Sequence, residues 1–292
     1  MFDLGMDLTG RKSLAVEVEK VVMEKSLKGS VALVTGASGG IGSEISRRLA
    51  RMGAGVALHY HQNAESAKAL EAEAVFRENG AVTVQADLTR EDDVARMWEA
   101  IEAHLGPVKI LICNAGYLKE EAVPLQKMSL SQWQTTQERN VLPYFLCMRE
   151  FFRRLEVHTF HDPSAVLVAS MSGMWGQPYH CDYAAAKAAA THGILPSLKD
   201  EIVRIAPQGR VNAVAPGFIK TAMVENKMKN REVMTQVLQT ASLRKFGTPA
   251  DVASAVAFLA SPALSGHITG EIIRLAGGKE GRVLFEMDEI DW

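Results

Sequence analysis

Short runs of aliphatic residues recur along this chain, separated by longer stretches whose apolar side chains fall three or four positions apart. The aliphatic runs cover residues 31–35, 56–60, 82–86, 109–113, 165–170, 210–215 and 271–275. Their apolarity is nearly continuous rather than alternating, which marks strands covered on both faces, as in a parallel sheet. The intervening stretches 42–52, 64–79 and 92–104 have helical spacing, closed by Gly53, Gly80 and Gly106-Pro107. Such alternation predicts one α/β domain of Rossmann type: a doubly wound parallel sheet of about seven strands with helices on both faces.

The two ends stand apart from this pattern. A short helix is predicted over 13–25, with Val18, Val21 and Val22 as a docking stripe. Residues 279–292 mix Val283, Leu284, Phe285, Ile290 and Trp292 with acids, and the cost of exposing so many apolar groups favours a packed arm. The layout is therefore an extension over 1–28, the domain over 29–278 and a tail over 279–292. Within the domain, Gly193 and Pro196 fall inside a helical stretch, where proline removes a backbone donor and predicts a kink.

Composition narrows the function classes. At 292 residues, with 47% hydrophobic and 23% charged residues, the chain is an ordinary globular protein. A net charge of −2 gives no electrostatic footprint for nucleic acid or an anionic membrane. No apolar run is long enough to span a membrane, and the early acids of the N-terminus argue against a secretory signal. Three well-separated cysteines, Cys113, Cys147 and Cys181, fit free thiols in a reducing cytoplasm, the first two as packing residues. The eight histidines show no metal spacing, though His59 and His61, two apart at a strand end, could share a face as ligands. No third ligand is near, so a polar strand end is the simpler reading and no metal is expected.

Two features carry chemistry. Thr35-Gly36-Ala37-Ser38-Gly39-Gly40-Ile41-Gly42 follows the first predicted strand and opens a helix. Glycines there let the backbone approach a pyrophosphate, while the N–H groups and dipole of the helix favour its negative charge. Far downstream, Tyr183 and Lys187 lie four residues apart, one helical turn, and project from one face. Reducing a ketone needs a hydride and a proton, and a nearby cation is expected to lower the phenol from its ordinary pKa of ~10. Each residue also has a plain structural use: a buried tyrosine, a snorkelling lysine, a turn glycine.

In order and spacing, these residues resemble the short-chain dehydrogenase/reductase family from about residue 28 to 278. Thr35 to Gly42, Asn114-Ala115-Gly116, Asn140, Ser170 with Tyr183 and Lys187, and Pro216-Gly217 with Thr221 match its motifs. The resemblance implies catalytic roles for Asn140, Ser170, Tyr183 and Lys187, with Ser170 holding the substrate oxygen and Asn140 supporting a water relay to the lysine. It implies a cofactor site of Gly36, Ser38, Gly40, Ile41, Gly42, Tyr60, His61, Asp87, Leu88, Asn114, Ala115, Gly116, Tyr183, Lys187, Pro216, Gly217, Ile219 and Thr221. Asp87 matches the position that meets the adenine amine, and is equally suited to capping a helix near Leu88-Thr89.

An acid at the end of the second strand would bond the ribose hydroxyls of NAD and repel the 2′-phosphate of NADP. Here Tyr60, His61, Gln62 and Asn63 stand there, with no acid before Glu65. NADP(H) is therefore favoured over NAD(H), although Gly39 occupies a place where the family often has a basic residue. Substrate specificity is expected from residues 171–182, with Met174, Trp175 and Tyr179, and from 222–243, with Val224, Met228, Val233, Met234, Val237 and Leu238 as a lid.

Phe218 to Thr221 and Gly247 to Ala253 are most similar to 3-oxoacyl-[acyl-carrier-protein] reductases. The resemblance thus implies a cytoplasmic homodimer or homotetramer acting on a carbonyl or acyl thioester, free or carrier-protein-bound. Arg149, Arg153, Arg154 and Arg204 are candidates for meeting an acidic carrier. The alternatives are an alcohol dehydrogenase acting on a polyol, sugar or steroid, and a non-catalytic nucleotide-sensing protein.

Overall fold

The computed structural model describes residues 25–119, 121–221 and 231–281. The helix predicted over 13–25 and the tail over 279–292 fall almost wholly outside these residues, as do residues 222–230 of the second specificity segment.

Each aliphatic run forms a strand: β1 (Val31–Val34), β2 (Gly55–Tyr60), β3 (Ala81–Gln85), β4 (Val108–Cys113), β5 (Ser164–Val168), β6 (Arg210–Pro216) and β7 (Ile272–Leu275). All pair in parallel, in the order β3-β2-β1-β4-β5-β6-β7. Between them lie α1 (Gly40–Arg51), α2 (Ala64–Glu71), α3 (Glu91–Leu105), α4 (Leu130–Val157), α5 (Met171–Trp175), α6 (Cys181–Ala188), α7 (Leu195–Ile205), α8 (Arg231–Gln239), α9 (Pro249–Ala260) and α10 (Pro262–Ser265).

Successive side chains of a strand point to opposite faces, so a continuous aliphatic run feeds two cores. Ala32, Val34, Ile110 and Ile112 pack with Ile45 and Leu49 of α1 and Val252 and Val256 of α9. Leu33, Leu111 and Cys113 pack on the other face with Trp98 of α3, Phe151 of α4 and Ile202 of α7. Fully burying a side chain of this size contributes roughly 1.5–3 kcal/mol.

The helix predicted over 64–79 ends at Glu71, and a separate turn of 3-10 helix covers Ala74–Phe76. Six residues at about 100° each would set Phe76 some 120° around a continuous helix from Leu70. The break, with Glu73 extended and held by Arg47 at 2.7 and 2.8 Å, lets both side chains enter the same core.

The Pro196 helix is also resolved differently from a simple kink. Residues Ala189–Ile194 widen into a π-helical turn, and Pro196 falls in the first turn of α7, where its missing N–H costs least. The Ser197 hydroxyl donates to the Gly193 carbonyl at 3.0 Å, and Thr191 Oγ1 donates to the Ala188 carbonyl at 3.3 Å.

The chain runs from β1 outward to β3 and then returns to place β4 on the other side of β1. Connections leave those two strands in opposite directions, so a crevice opens at their carboxyl ends.

Candidate active site

Beyond β1, Thr35 fastens the loop to β4. Its hydroxyl donates to the Ile112 carbonyl at 3.2 Å and accepts from the backbone N–H groups of Asn114 and Ala115 at 2.8 and 3.0 Å. The Asn114 amide donates to the carbonyls of Thr35 and Gly36 at 2.8 and 3.2 Å, which stitches the central strands together. Gly36 has φ +66°, and a Cβ on Gly42 would lie 2.2 Å from the Gly36 oxygen, so neither position has room for a side chain. The first turn of α1 carries no acid, leaving its N-terminus favourable to an anion. Thr221 faces this loop: a Cβ on Gly40 would sit 3.6 Å from its methyl group.

His59 braces the same loop. Its Nδ1 accepts from the Gly36 N–H at 2.9 Å, so Nε2 carries the proton and donates to the Ala86 carbonyl at 3.1 Å. Burial drives its pKa down to about 4, which keeps it neutral. Both nitrogens are thus committed to backbone, and His61 is half exposed beyond the strand end, so the two do not form a ligand pair. The sequence marked His59 only as polar; its partners lie 23 and 27 residues away.

At the far side of the crevice, Asp87 forms an Asx turn, its Oδ1 accepting from the N–H and hydroxyl of Thr89 at 3.0 and 2.7 Å. It is not a helix cap: α3 begins at Glu91, and the Asp93 carboxylate accepts the Asp87 N–H at 3.1 Å. Partial burial opposes ionisation of Asp87, but Thr89, His61 and Arg90 outweigh it and hold the carboxyl below its usual value. Leu88 is buried beside it, while Tyr60 closes β2 half-buried and accepts the Ala86 N–H on its carbonyl at 3.2 Å. Ser38 and Ile41 are half-buried in the loop and first turn. Pro216 ends β6, the Gly217 N–H donates to the Leu275 carbonyl at 3.0 Å, and Ile219 is buried, bridging to Gly247.

The remaining candidates meet where β4 and β5 end. Ser170 caps α5, its Oγ accepting the Ser172 N–H at 3.1 Å. Tyr183 and Lys187 both face inward from α6, whose start is fixed by buried Asp182. That carboxylate accepts from the Tyr183 N–H at 2.9 Å and from Thr136 and Gln132 of α4 at 2.8 and 3.2 Å. Asn140 is fully buried on α4: its amide donates to the Tyr117 and Thr136 carbonyls at 2.8 and 2.9 Å, and its oxygen accepts the Tyr117 N–H at 3.1 Å. A Cβ on Gly116 would stand 3.1 Å from Lys187 Nζ and 3.2 Å from Asn140 Oδ1, so these three converge.

Burial pushes the Tyr183 phenol up to about 12, against a hydrogen bond with Ser170 that pulls it down. Burial also lowers the Lys187 ammonium to about 8. This corrects the expectation that the lysine depresses the phenol. Nζ lies 5.8 Å from the Tyr183 ring centre and donates instead to the Tyr144 hydroxyl at 2.7 Å and the Val168 carbonyl at 3.2 Å, so desolvation wins. Asp182 and Tyr144 were missed in the sequence. Tyr144 carried a signal, since it lies one helical turn beyond Asn140 on the same face of α4.

The specificity segments are partly placed. Trp175 and Tyr179 are exposed, whereas Met234 is buried and Val237 and Leu238 line a cavity of about 340 Å³ with Phe218, Ile219 and Phe246. Three of the arginines suggested for a carrier protein are engaged within the chain. Arg149 pairs with Glu91 at 2.6 Å, Arg153 with Glu150 at 3.4 Å, and Arg154 with both Glu150 and Glu102. Arg204 is exposed. Among the described residues, no helix is long and apolar enough to cross a membrane.

A family model described as "Enoyl-(Acyl carrier protein) reductase" matches residues 36–280. The chain belongs to the short-chain dehydrogenase/reductase family. As a member it is an oxidoreductase. It is 34% identical over 254 residues to a 3-oxoacyl-[acyl-carrier-protein] reductase of Synechocystis sp., covering 87% of this chain and 98% of that protein. The "Uncharacterized oxidoreductase YgfF" of Escherichia coli is also 34% identical over 254 residues, covering 86% of this chain and 100% of that one. Among solved structures, "Short-chain dehydrogenase/reductase SDR:Glucose/ribitol dehydrogenase" from Brucella melitensis superposes with a TM-score of 0.78 at 29% identity, over 88% of this chain and 98% of its own. Family members of this kind use a nicotinamide dinucleotide, NAD or NADP.

Proposed function

We propose that this short-chain dehydrogenase/reductase reduces a 3-oxoacyl thioester, free or carrier-protein-bound, or a related activated ketone, with NADP(H) preferred over NAD(H). The observation that carries the reading is the convergence of Lys187 and Asn140 on Gly116, with Tyr183 and Ser170 beside them, at the edge of the glycine loop. That loop fits a dinucleotide, since its glycines bring bare backbone and an acid-free helix N-terminus to the crevice. When bound, the nicotinamide supplies the hydride.

The protein's part is the proton. Ser170 holds the carbonyl oxygen, and the neutral Tyr183 phenol donates its proton to the developing alkoxide. A phenolate left at Tyr183 is a far stronger base than the Lys187 amine, about 12 against about 8, so proton return from the ammonium runs downhill. The site is thereby poised for reduction. Asp87 would receive the adenine amine on its Oδ2, Ala115 and Gly116 would line the ribose path, and Ile219 and Thr221 would lie near the carboxamide. NADP(H) is supported by the end of β2: Asn63 spends its side chain capping α2, His61 is half exposed, and no acid precedes Glu65 to repel a 2′-phosphate. The thioester is supported by relatives named 3-oxoacyl-[acyl-carrier-protein] reductase at 32–34% identity. The exposed ring of Trp175 offers surface to an acyl chain, each buried methylene contributing about 0.8 kcal/mol.

The test is a panel of acetoacetyl and longer 3-oxoacyl thioesters, sugars and polyols, each with both cofactors. Thioester reduction with NADPH is expected, falling at least about 100-fold in Tyr183→Phe with dinucleotide affinity unchanged within a few fold. Ready oxidation of a sugar or polyol with no thioester turnover would install the second reading, an alcohol dehydrogenase, which the likeness to the glucose/ribitol dehydrogenase of Brucella melitensis favours.

A further inference from the structure

Tyr144 is almost wholly buried, at 1% exposure, and has no part in the proton delivery proposed for Tyr183. Its hydroxyl donates to the Val168 carbonyl at 2.7 Å and accepts from Lys187 Nζ at 2.7 Å, while Nζ also donates to the Val168 carbonyl at 3.2 Å. An ammonium has three N–H donors. Two are therefore anchored, one on α4 and one on β5. The third is left for the side of Gly116, where a Cβ would stand 3.1 Å from Nζ. We infer that Tyr144 is a positioning residue that aims the Lys187 ammonium at the reaction crevice and supports its charge. Its role rests on the assignment of Lys187 and Tyr183 to proton delivery.

The phenol suits a fixed acceptor rather than a relay. Burial, with Tyr183 and Cys113 nearby, pushes its pKa well above the ordinary tyrosine value, so its proton stays on the Val168 carbonyl and its lone pairs stay on the lysine. The other titratable groups around Nζ are Tyr183 on the same helix and Cys113 from β4, whose thiol burial also pushes up. All three are neutral near pH 7. Hydrogen bonds, with Tyr144 the shorter of the two, are what hold the charge in a buried place.

Removing the oxygen should therefore make Lys187 lose its proton more easily. Two readouts test this in the full chain: the pH profile of kcat/KM for thioester reduction, and the titration of ¹³Cε-labelled lysine by NMR, the Lys187 signal being the one absent from Lys187→Met. The wild type is expected to titrate near pH 8 in both. In Tyr144→Phe both should move down by about one unit or more, the size expected for one lost hydrogen bond to a charge, with kcat/KM at pH 7.5 falling at least about threefold. Tyr144→Met takes its place if the Phe variant does not fold. An unmoved NMR titration, or activity lost equally at every pH, would reduce Tyr144 to packing and overturn the inference. Full activity in Lys187→Met or Tyr183→Phe would instead overturn the proton-delivery reading, an outcome the NMR titration distinguishes because it needs no substrate.

Discussion

Desolvation sets the chemistry of the individual residues more than charge pairing does. Free tyrosine and lysine have nearly equal pKa values of ~10 and ~10.4. Here the same burial spreads them apart in opposite directions, because the charged form is the anion for one and the cation for the other. The cofactor preference also turns on single side chains. Tyr60→Asp would place a carboxylate at the end of β2, where it can bond ribose hydroxyls and repel a phosphate. The ratio of kcat/KM for NADPH to that for NADH should fall at least about tenfold in this variant. A wild type that already prefers NADH tenfold would remove the ground for NADP(H).

Among the elements, buried polar side chains do the joining. Arg210 on β6 is 3% exposed and gathers helix ends: it donates to the Leu259 carbonyl at 2.7 Å, the Ser265 hydroxyl at 3.0 Å and the Ala260 carbonyl at 3.4 Å. These groups close α9 and α10, so the guanidinium serves as the cap that a helix C-terminus otherwise lacks. Arg210→Met should destabilise the protein by about 2–4 kcal/mol, read as a lower denaturant midpoint with unchanged m-value. An unchanged midpoint would show that water caps these helices as well. Such ties are illegible in the sequence, since Arg210 and Asp182 find their partners 46 to 55 residues away. The local signals fared differently. Periodicity placed every strand to within about two residues, yet it ran a helix through Glu73, where the demand to bury both Leu70 and Phe76 overrides propensity.

For the molecule as a whole, the sequence was most informative where function and backbone geometry coincide. The glycine loop, Asn114 and the Tyr183–Lys187 pair were legible because close approach and one-turn spacing impose residue types on a short stretch. Tyr144 offered only its one-turn spacing from Asn140, and a tyrosine buried for packing and one buried to hold a lysine leave that same mark in a helix. The two end segments are proposed to pack on the domain or on a second subunit of a homodimer or homotetramer. Light scattering should give an oligomer for the full chain, and a chain ending at Gly278 should be less stable or smaller. Monomers of equal stability in both cases would show the tail to be idle.

The brace between the glycine loop and the end of β3 gives this enzyme an acid fuse. His59 is neutral in the fold, with a pKa of about 4 against 6.5 for the free side chain. Its stabilisation is therefore whole above pH 6.5 and drains away as the pH falls toward 4, to a total on the order of 3 kcal/mol. A protonated ring has no lone pair for the Gly36 N–H, so the strain falls first on the glycine loop proposed to cradle the pyrophosphate. Acid should thus empty the nucleotide site before it melts the sheet. Dinucleotide affinity, followed by calorimetry from pH 7 down to pH 4, should hold to about pH 5 and weaken as the pH approaches 4 while far-ultraviolet circular dichroism stays constant; affinity that holds until the sheet itself unfolds would locate the fuse elsewhere.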